Sequence, residues 1–149
     1  MAIRTATSIW EGNLKEGQGH ITSDSGALKN AGYSYSTRFE DKAGTNPEEL
    51  LAAAHSACFS MALSGALEKE GYQLQKVKTE DKVHLEKIDG IFKITRVEIF
   101  AEATVPNIEE LKFLQIAESA KNNCPVSMAL KAIEITLHAS LKTKVNEFI

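Results

Sequence analysis

Between Leu50 and Leu67 lie 18 consecutive residues without a single charge, 13 of them apolar, and no other part of this 149-residue chain limits its fold so sharply. Helix punctuation frames the stretch. Asn46 stands as an N-cap, Pro47 takes the first helical position, Glu49 is placed to close a capping box, and Gly71 supplies the stop. A helix that is apolar all round has almost no face for solvent, so this one is expected to lie buried at the centre of the protein. A membrane span has a similar length and composition, but His55, Ser56, Ser60, Ser64 and the charges on both flanks favour a core helix.

As a helix, the 24 residues from Pro47 to Glu70 measure about 36 Å, against a diameter of roughly 38 Å for a compact domain of this length. One protomer can hardly wrap such a rod. The small residues Ala52, Ala53, Ala54, Ser56, Ala57 and Ser60 admit a close neighbour, and a homodimer is expected in which a second copy covers part of the helix.

Shorter elements surround this one. Ile3 to Trp10 and Tyr33 to Phe39 read as strands, with a glycine-rich turn at Gly17 and Gly19 between them. In the second, Tyr33, Tyr35, Thr37 and Phe39 alternate with Ser34, Ser36, Arg38 and Glu40, which puts Arg38 on the polar face. Val83 to Ile88 and Ile91 to Val105 predict a hairpin turning at Asp89-Gly90. Asn107 and Glu110 open another helix that ends near Asn122, and Cys124-Pro125 begins a helical turn through Met128. Ile133, Ile135, Leu137, Ala139 and Leu141 alternate as a last strand. The expected class is α+β, a single domain over residues 1–149 with sheets packed on the central helix.

With 17 basic against 20 acidic residues and a net charge of -3, the chain lacks the electrostatic footprint of a nucleic-acid or anionic-membrane binder. Small molecules and protein partners are expected instead. The sequence from Met1 to Trp10 has no apolar run of the secretory kind, and a cytoplasmic location is the expectation.

Cys58 and Cys124 stand 66 positions apart, a spacing that fits no zinc ribbon, no Cys-x-x-Cys motif and no dense disulfide framework. A cysteine such as Cys58, inside an apolar helix, ordinarily packs as a small hydrophobe. A thiol of pKa about 8.5 is only about 3% thiolate at pH 7, and apolar burial lowers that further, so a reactive Cys58 requires a nearby cation. Cys124 precedes a proline-started helix, where free amide donors favour a thiolate; equally, it could do no more than cap the turn. His55 and Cys58 share a helix face, but no second ligand pair accompanies them and a zinc site is not expected. His20, His84 and His138 occupy polar positions in their strands and are expected to be solvated, and Gly17-x-Gly19 lacks the third glycine and lysine of a nucleotide loop. Arg38 and Glu40 read as an exposed pair, while Glu48 and Glu49 suit the positive end of a helix dipole.

Beyond these local readings, a set of segments carries a resemblance. Arg38-Phe39-Glu40, Gly44-Thr45-Asn46-Pro47-Glu48-Glu49-Leu50, Ala53 through Leu63 with Cys58 at its centre, and Asn123-Cys124-Pro125-Val126-Ser127 closely resemble the OsmC subgroup of the osmotically inducible and organic hydroperoxide resistance superfamily. The match runs from Trp10-Glu11-Gly12 to the final strand. It implies an intertwined dimer of antiparallel sheets around a long central helix, with active sites at the subunit interface. It also implies a peroxiredoxin-like reductase of organic hydroperoxides, acting in stress defence without metal or flavin.

By this resemblance Cys58 attacks the peroxide and Cys124 resolves the product as a disulfide, which inverts the local ranking of the two thiols. The family's arginine falls on Arg38 and its glutamate on Glu48. Bringing a thiol from about 8.5 to about 6 takes roughly 3.4 kcal/mol of differential stabilisation, a task for a desolvated Arg38 held bidentately by Glu48. Glu48 and Cys58 are ten residues apart, about 15 Å along one helix, so either that helix breaks near Asn46 or Glu48 serves from a partner subunit. An external dithiol, of the lipoyl-bearing kind the family suggests, would restore the thiols. Phe59, Met61 and Leu63 suggest an apolar site that prefers organic hydroperoxides. The rival expectation is a non-enzymatic dimeric scaffold or small-ligand binder with two inert core thiols.

Overall fold

The computed structural model describes residues 1–143. Its elements run β1 (Ala6–Glu11), β2 (Gln18–Ser23), β3 (Ala31–Tyr33), α1 (Tyr35–Phe39), α2 (Pro47–Lys69), β4 (Lys76–Ile88), β5 (Ile91–Thr104), α3 (Glu110–Asn123), α4 (Pro125–Ala129) and β6 (Glu134–Leu141). The α+β class is as expected. Contacts divide the chain into two units, Met1–Leu50 and Leu51–Ile149, each with a three-stranded sheet.

In the first unit β1, β2 and β3 pair in order and antiparallel, with Gly19 of β2 facing Trp10 on one side and Tyr33 on the other. A side chain at Gly19 would begin 2.3 Å from the Tyr33 ring, so the glycine is what lets Tyr33 lie over the strand and meet Trp10 at 5.6 Å between ring centroids. The expected strand from Tyr33 to Phe39 is corrected. It ends at Tyr33, because Ser34 and Thr37 form a reciprocal capping box, the Thr37 amide donating to Ser34 Oγ at 3.3 Å and the Ser34 amide to Thr37 Oγ1 at 2.8 Å. Two satisfied end groups start a helix where side-chain alternation had suggested a strand. Arg38 therefore sits in the last turn of α1, not on a strand face.

Helix α2 begins at Pro47 as its punctuation dictates. The Glu49 amide donates to Asn46 Oδ1 at 2.8 Å, while the Glu49 carboxylate takes the Thr45 hydroxyl at 2.9 Å instead of returning to the cap. At the other end Gly71, with φ of 85°, donates to Glu68 O and Tyr72 donates to Leu67 O, a Schellman arrangement that only a residue tolerant of positive φ permits. No break separates Glu48 from Cys58 along the helix.

The second unit holds one hydrophobic cluster. Phe59, Leu63 and Leu67, four residues apart on α2, pack with Ile99, Ala101 and Ala103 of β5 and with Phe113, Ile116, Ala117 and Ala120 of α3. The expectation that α2 is buried all round is corrected for a single chain: Ala53, Ala54 and Ala57 are exposed, and Met61 keeps 77% of its surface. The β4–β5 hairpin turns at Asp89 and Gly90, both at positive φ, and β4 starts seven residues before the expected Val83. The last strand adds to β5 in parallel, so this sheet is mixed where antiparallel pairing was expected throughout. A parallel partner needs a crossover, and α3 with α4 supplies it.

Candidate functional site

Helix α2 carries Cys58 at its middle, and α4 starts directly after Cys124, which is its N-terminal flanking residue. The 66-residue interval closes completely: Cys124 Sγ donates to Cys58 Sγ at 2.7 Å, and both thiols are free. Cys124 is fully buried and Cys58 half-buried. Burial pushes the Cys58 thiol above its ordinary value, and the adjoining Cys124 adds to the rise. Against both works a hydrogen bond from the Val126 backbone amide. The free amide at the start of α4, which local reading assigned to Cys124, thus serves Cys58.

Arg38 and Glu48 lie together in the first unit. Arg38 Nη2 donates to Glu48 Oε1 at 2.6 Å, and Nε donates to both carboxylate oxygens at 3.2 and 3.1 Å. This is the two-pronged contact expected, with Glu48 nearly sealed and the arginine a third exposed. The pair is built from α1 and the first turn of α2, so the misread helix α1 is what delivers the guanidinium. Beside it opens a cavity of about 320 Å³ lined by Trp10, Leu14, Tyr35, Arg38, Phe39 and Pro47 among others. The apolar lining expected from Phe59 and Leu63 is corrected, because both are fully buried in the core of the second unit.

A further constellation escaped sequence reading. His55 is fully buried; its Nε2 meets Ser127 Oγ at 2.7 Å, and its Nδ1 lies 2.5 Å from Asp81 Oδ2, whose side chain is also sealed. Nε2 is engaged by Ser127, whereas Nδ1 and both Asp81 carboxylate oxygens make no hydrogen bond despite their close approach. Helical spacing had linked His55 to Cys58, but nothing local signals partners 26 and 72 positions away. The expectation of solvated strand histidines is corrected at His84, a half-buried residue whose Nε2 meets Glu98 at 2.7 Å, because β4 and β5 set the two diagonally across the pair, His84 opposite Arg96 and Glu98 opposite Lys82. His138 stacks on Phe100, and His20 is exposed.

The profile of the OsmC family, described as OsmC-like protein, matches residues 39–138, two thirds of the chain, including Glu48, Cys58 and Cys124 but not Arg38. The chain belongs to the OsmC family. Among OsmC relatives, the peroxiredoxin OsmC of Escherichia coli K12 is 47% identical over 134 residues, covering 90% of this chain and 93% of its own. Organic hydroperoxide resistance protein OhrB of Bacillus subtilis strain 168 is 32% identical over 133 residues, covering 88% and 93%. The crystal structure of OhrB from Bacillus subtilis superposes with a TM-score of 0.66 at 28% identity, covering 93% of this chain and 98% of that one.

Proposed function

We propose that this protein is a thiol-dependent peroxidase that reduces organic hydroperoxides to alcohols, and hydrogen peroxide more slowly, in defence against oxidative and osmotic stress. The observation that carries this reading is the 2.7 Å separation of two free thiols, one of them reachable and the other sealed behind it. The names of the relatives, a peroxiredoxin and an organic hydroperoxide resistance protein, point the same way.

In the proposed cycle the Cys58 thiolate attacks the terminal peroxide oxygen. The O–O bond breaks, the alkoxide leaves and takes a proton from solvent, and Cys58 becomes a sulfenic acid. The Cys124 thiol then attacks that sulfur, forming the disulfide and releasing water. An external dithiol, of which a lipoyl-bearing protein is one, reduces the disulfide and is itself oxidised. The two free cysteines suit a reducing cytoplasm.

Within the second unit burial and Cys124 outweigh the Val126 amide and hold the Cys58 thiol above its ordinary value. We therefore assign the missing positive charge to Arg38, oriented by Glu48. Because α2 is continuous from Pro47, the Glu48 serving a given Cys58 is assigned to the second copy of a homodimer, whose α2 would cover the exposed apolar face at Ala53, Ala57 and Met61. Both units of the chain then act as one functional domain. The cavity beside Arg38 is the proposed seat of the hydroperoxide's organic tail.

Rapid mixing with one equivalent of cumene hydroperoxide, followed by intact-mass measurement, tests the division of labour. Wild type is expected to lose two hydrogens as one disulfide, Cys124→Ser to stop after about one turnover with a single added oxygen, and Cys58→Ser to consume no peroxide. Equal steady-state rates for wild type and Cys124→Ser, or unoxidised thiols in wild type, overturn the reading.

A further inference from the structure

The two cysteines are not the only link between α2 and α4. His55 precedes Cys58 by three residues on α2, and Ser127 follows Cys124 by three residues at α4. A helix brings residues three apart onto one face. The contact of His55 Nε2 with Ser127 Oγ at 2.7 Å therefore runs alongside the sulfur contact, one turn away, as a second rung between the same two segments. Below it, Asp81 of β4 presents Oδ2 to His55 Nδ1 at 2.5 Å. Nothing in the cycle above uses these three residues.

From this arrangement we propose that His55, Asp81 and Ser127 are positioning residues that hold Cys124 in register with Cys58 for the resolving step. The proposal rests on the assignment of Cys58 and Cys124 as attacking and resolving thiols. The Cys124 amide is tied to the end of α3, donating to Ala120 O at 2.9 Å, but helix α4 beyond it has only five residues, too few to fix its own orientation, so the set of the turn that carries Cys124 depends also on what anchors α4. Ser127 is that anchor. The Ser127 hydroxyl and His55 Nε2 share one hydrogen bond, and the Asp81 carboxylate stands against the opposite ring nitrogen. Fully buried, the imidazole has no water to take the place of a lost partner, so removing the hydroxyl leaves Nε2 unsatisfied and frees the turn to shift. A Ser–His–Asp series has the order of a hydrolytic triad, but Ser127 retains only 4% of its surface, and no ester carbonyl reaches a hydroxyl so enclosed.

The test separates the two chemical steps. In Ser127→Ala, loss of peroxide in the first turnover is expected to slow by less than about threefold, since Cys58 itself is retained. Conversion of the sulfenic acid to the disulfide slows at least tenfold, read as a longer-lived dimedone-reactive species and as sulfinic acid when peroxide is in excess. The dithiol–disulfide equilibrium against glutathione falls about tenfold in the same variant, which corresponds to about 30 mV for a two-electron couple. Ser127→Thr, which keeps the hydroxyl, restores both, and Asp81→Asn, which withdraws the charge that orients the ring, falls between. Resolution and glutathione equilibrium at wild-type values in Ser127→Ala overturn the proposal. So does an equal slowing of both steps, which is the signature of general loosening. A wild-type protein that ignores peroxide yet forms the disulfide with oxidised glutathione, with an equilibrium that Ser127→Ala shifts, defeats the peroxidase reading and leaves the positioning role standing.

Discussion

At the residue scale the chemistry turns on one thiol under opposed influences. Burial and the neighbouring Cys124 raise the Cys58 thiol and the Val126 amide lowers it, with the raising effects dominant. A cation from elsewhere has to reverse that balance, and Arg38 is the residue assigned to do so. In Arg38→Ala the absorbance of the Cys58 thiolate at 240 nm should titrate above the ordinary thiol value, whereas in the wild-type dimer it should titrate below. The sign carries into stability. In Arg38→Ala the folded protein keeps the Cys58 proton after the unfolded chain has lost it, so that contribution is whole below the unfolded thiol's value and disappears as pH rises through the folded one. Denaturant midpoints of Arg38→Ala should therefore drop on the alkaline side, and adding Cys58→Ala should flatten the drop. Arg38→Lys is expected to lose most of the activity, since an ammonium cannot copy the two-pronged contact with Glu48.

At the scale of elements, Asn46 has more to do than cap a helix. Its Oδ1 accepts the Glu49 amide at 2.8 Å while its Nδ2 donates to Thr37 O at 3.1 Å, so one side chain starts α2 and ties it to α1. Asn46→Ala should cost about 1 to 2 kcal/mol by chemical denaturation, the upper part of the range for a lost cap, because a second hydrogen bond goes with it. The same region shows what could be read from the residues and what could not. Asn46, Pro47 and Gly71 gave the limits of α2 because capping is a local matter, and Asp89-Gly90 gave the hairpin for the same reason. Tyr33 to Phe39 misled because tyrosine, threonine and phenylalanine alternate there at strand period, while the Ser34 and Thr37 box that decides the conformation involves two weak helix formers. The thiol pair came from resemblance, since closure of a 66-residue interval leaves no trace in either flanking segment. Asp81 was invisible for a plainer reason: it precedes Val83, where the strand was expected to start, and β4 in fact begins at Lys76.

At the scale of the whole molecule, α2 has one sealed face and one bare one. Phe59, Leu63 and Leu67 are shielded by the chain's own core, whereas Ala53, Ala57 and Met61 meet solvent. Light scattering should return about twice the 16.3 kDa of a single chain, and Met61→Arg should move that mass toward one chain by placing a charge within the proposed contact. If Glu48 and Arg38 serve across that contact, the monomeric variant should also lose peroxidase activity while keeping its circular dichroism. A monomer that retains full turnover would place the entire site within one chain.

The unequal exposure of the two sulfurs has one more outcome. Once oxidised, the molecule shows visitors only the Cys58 half of its bridge, because Cys124 has no surface of its own. If the two sulfurs act as proposed, a reducing partner comes in by the door the oxidant has just left, and its first bond is to Cys58, with Cys124 as the departing group. The two visitors then take strict turns, each meeting the redox state that the other leaves behind.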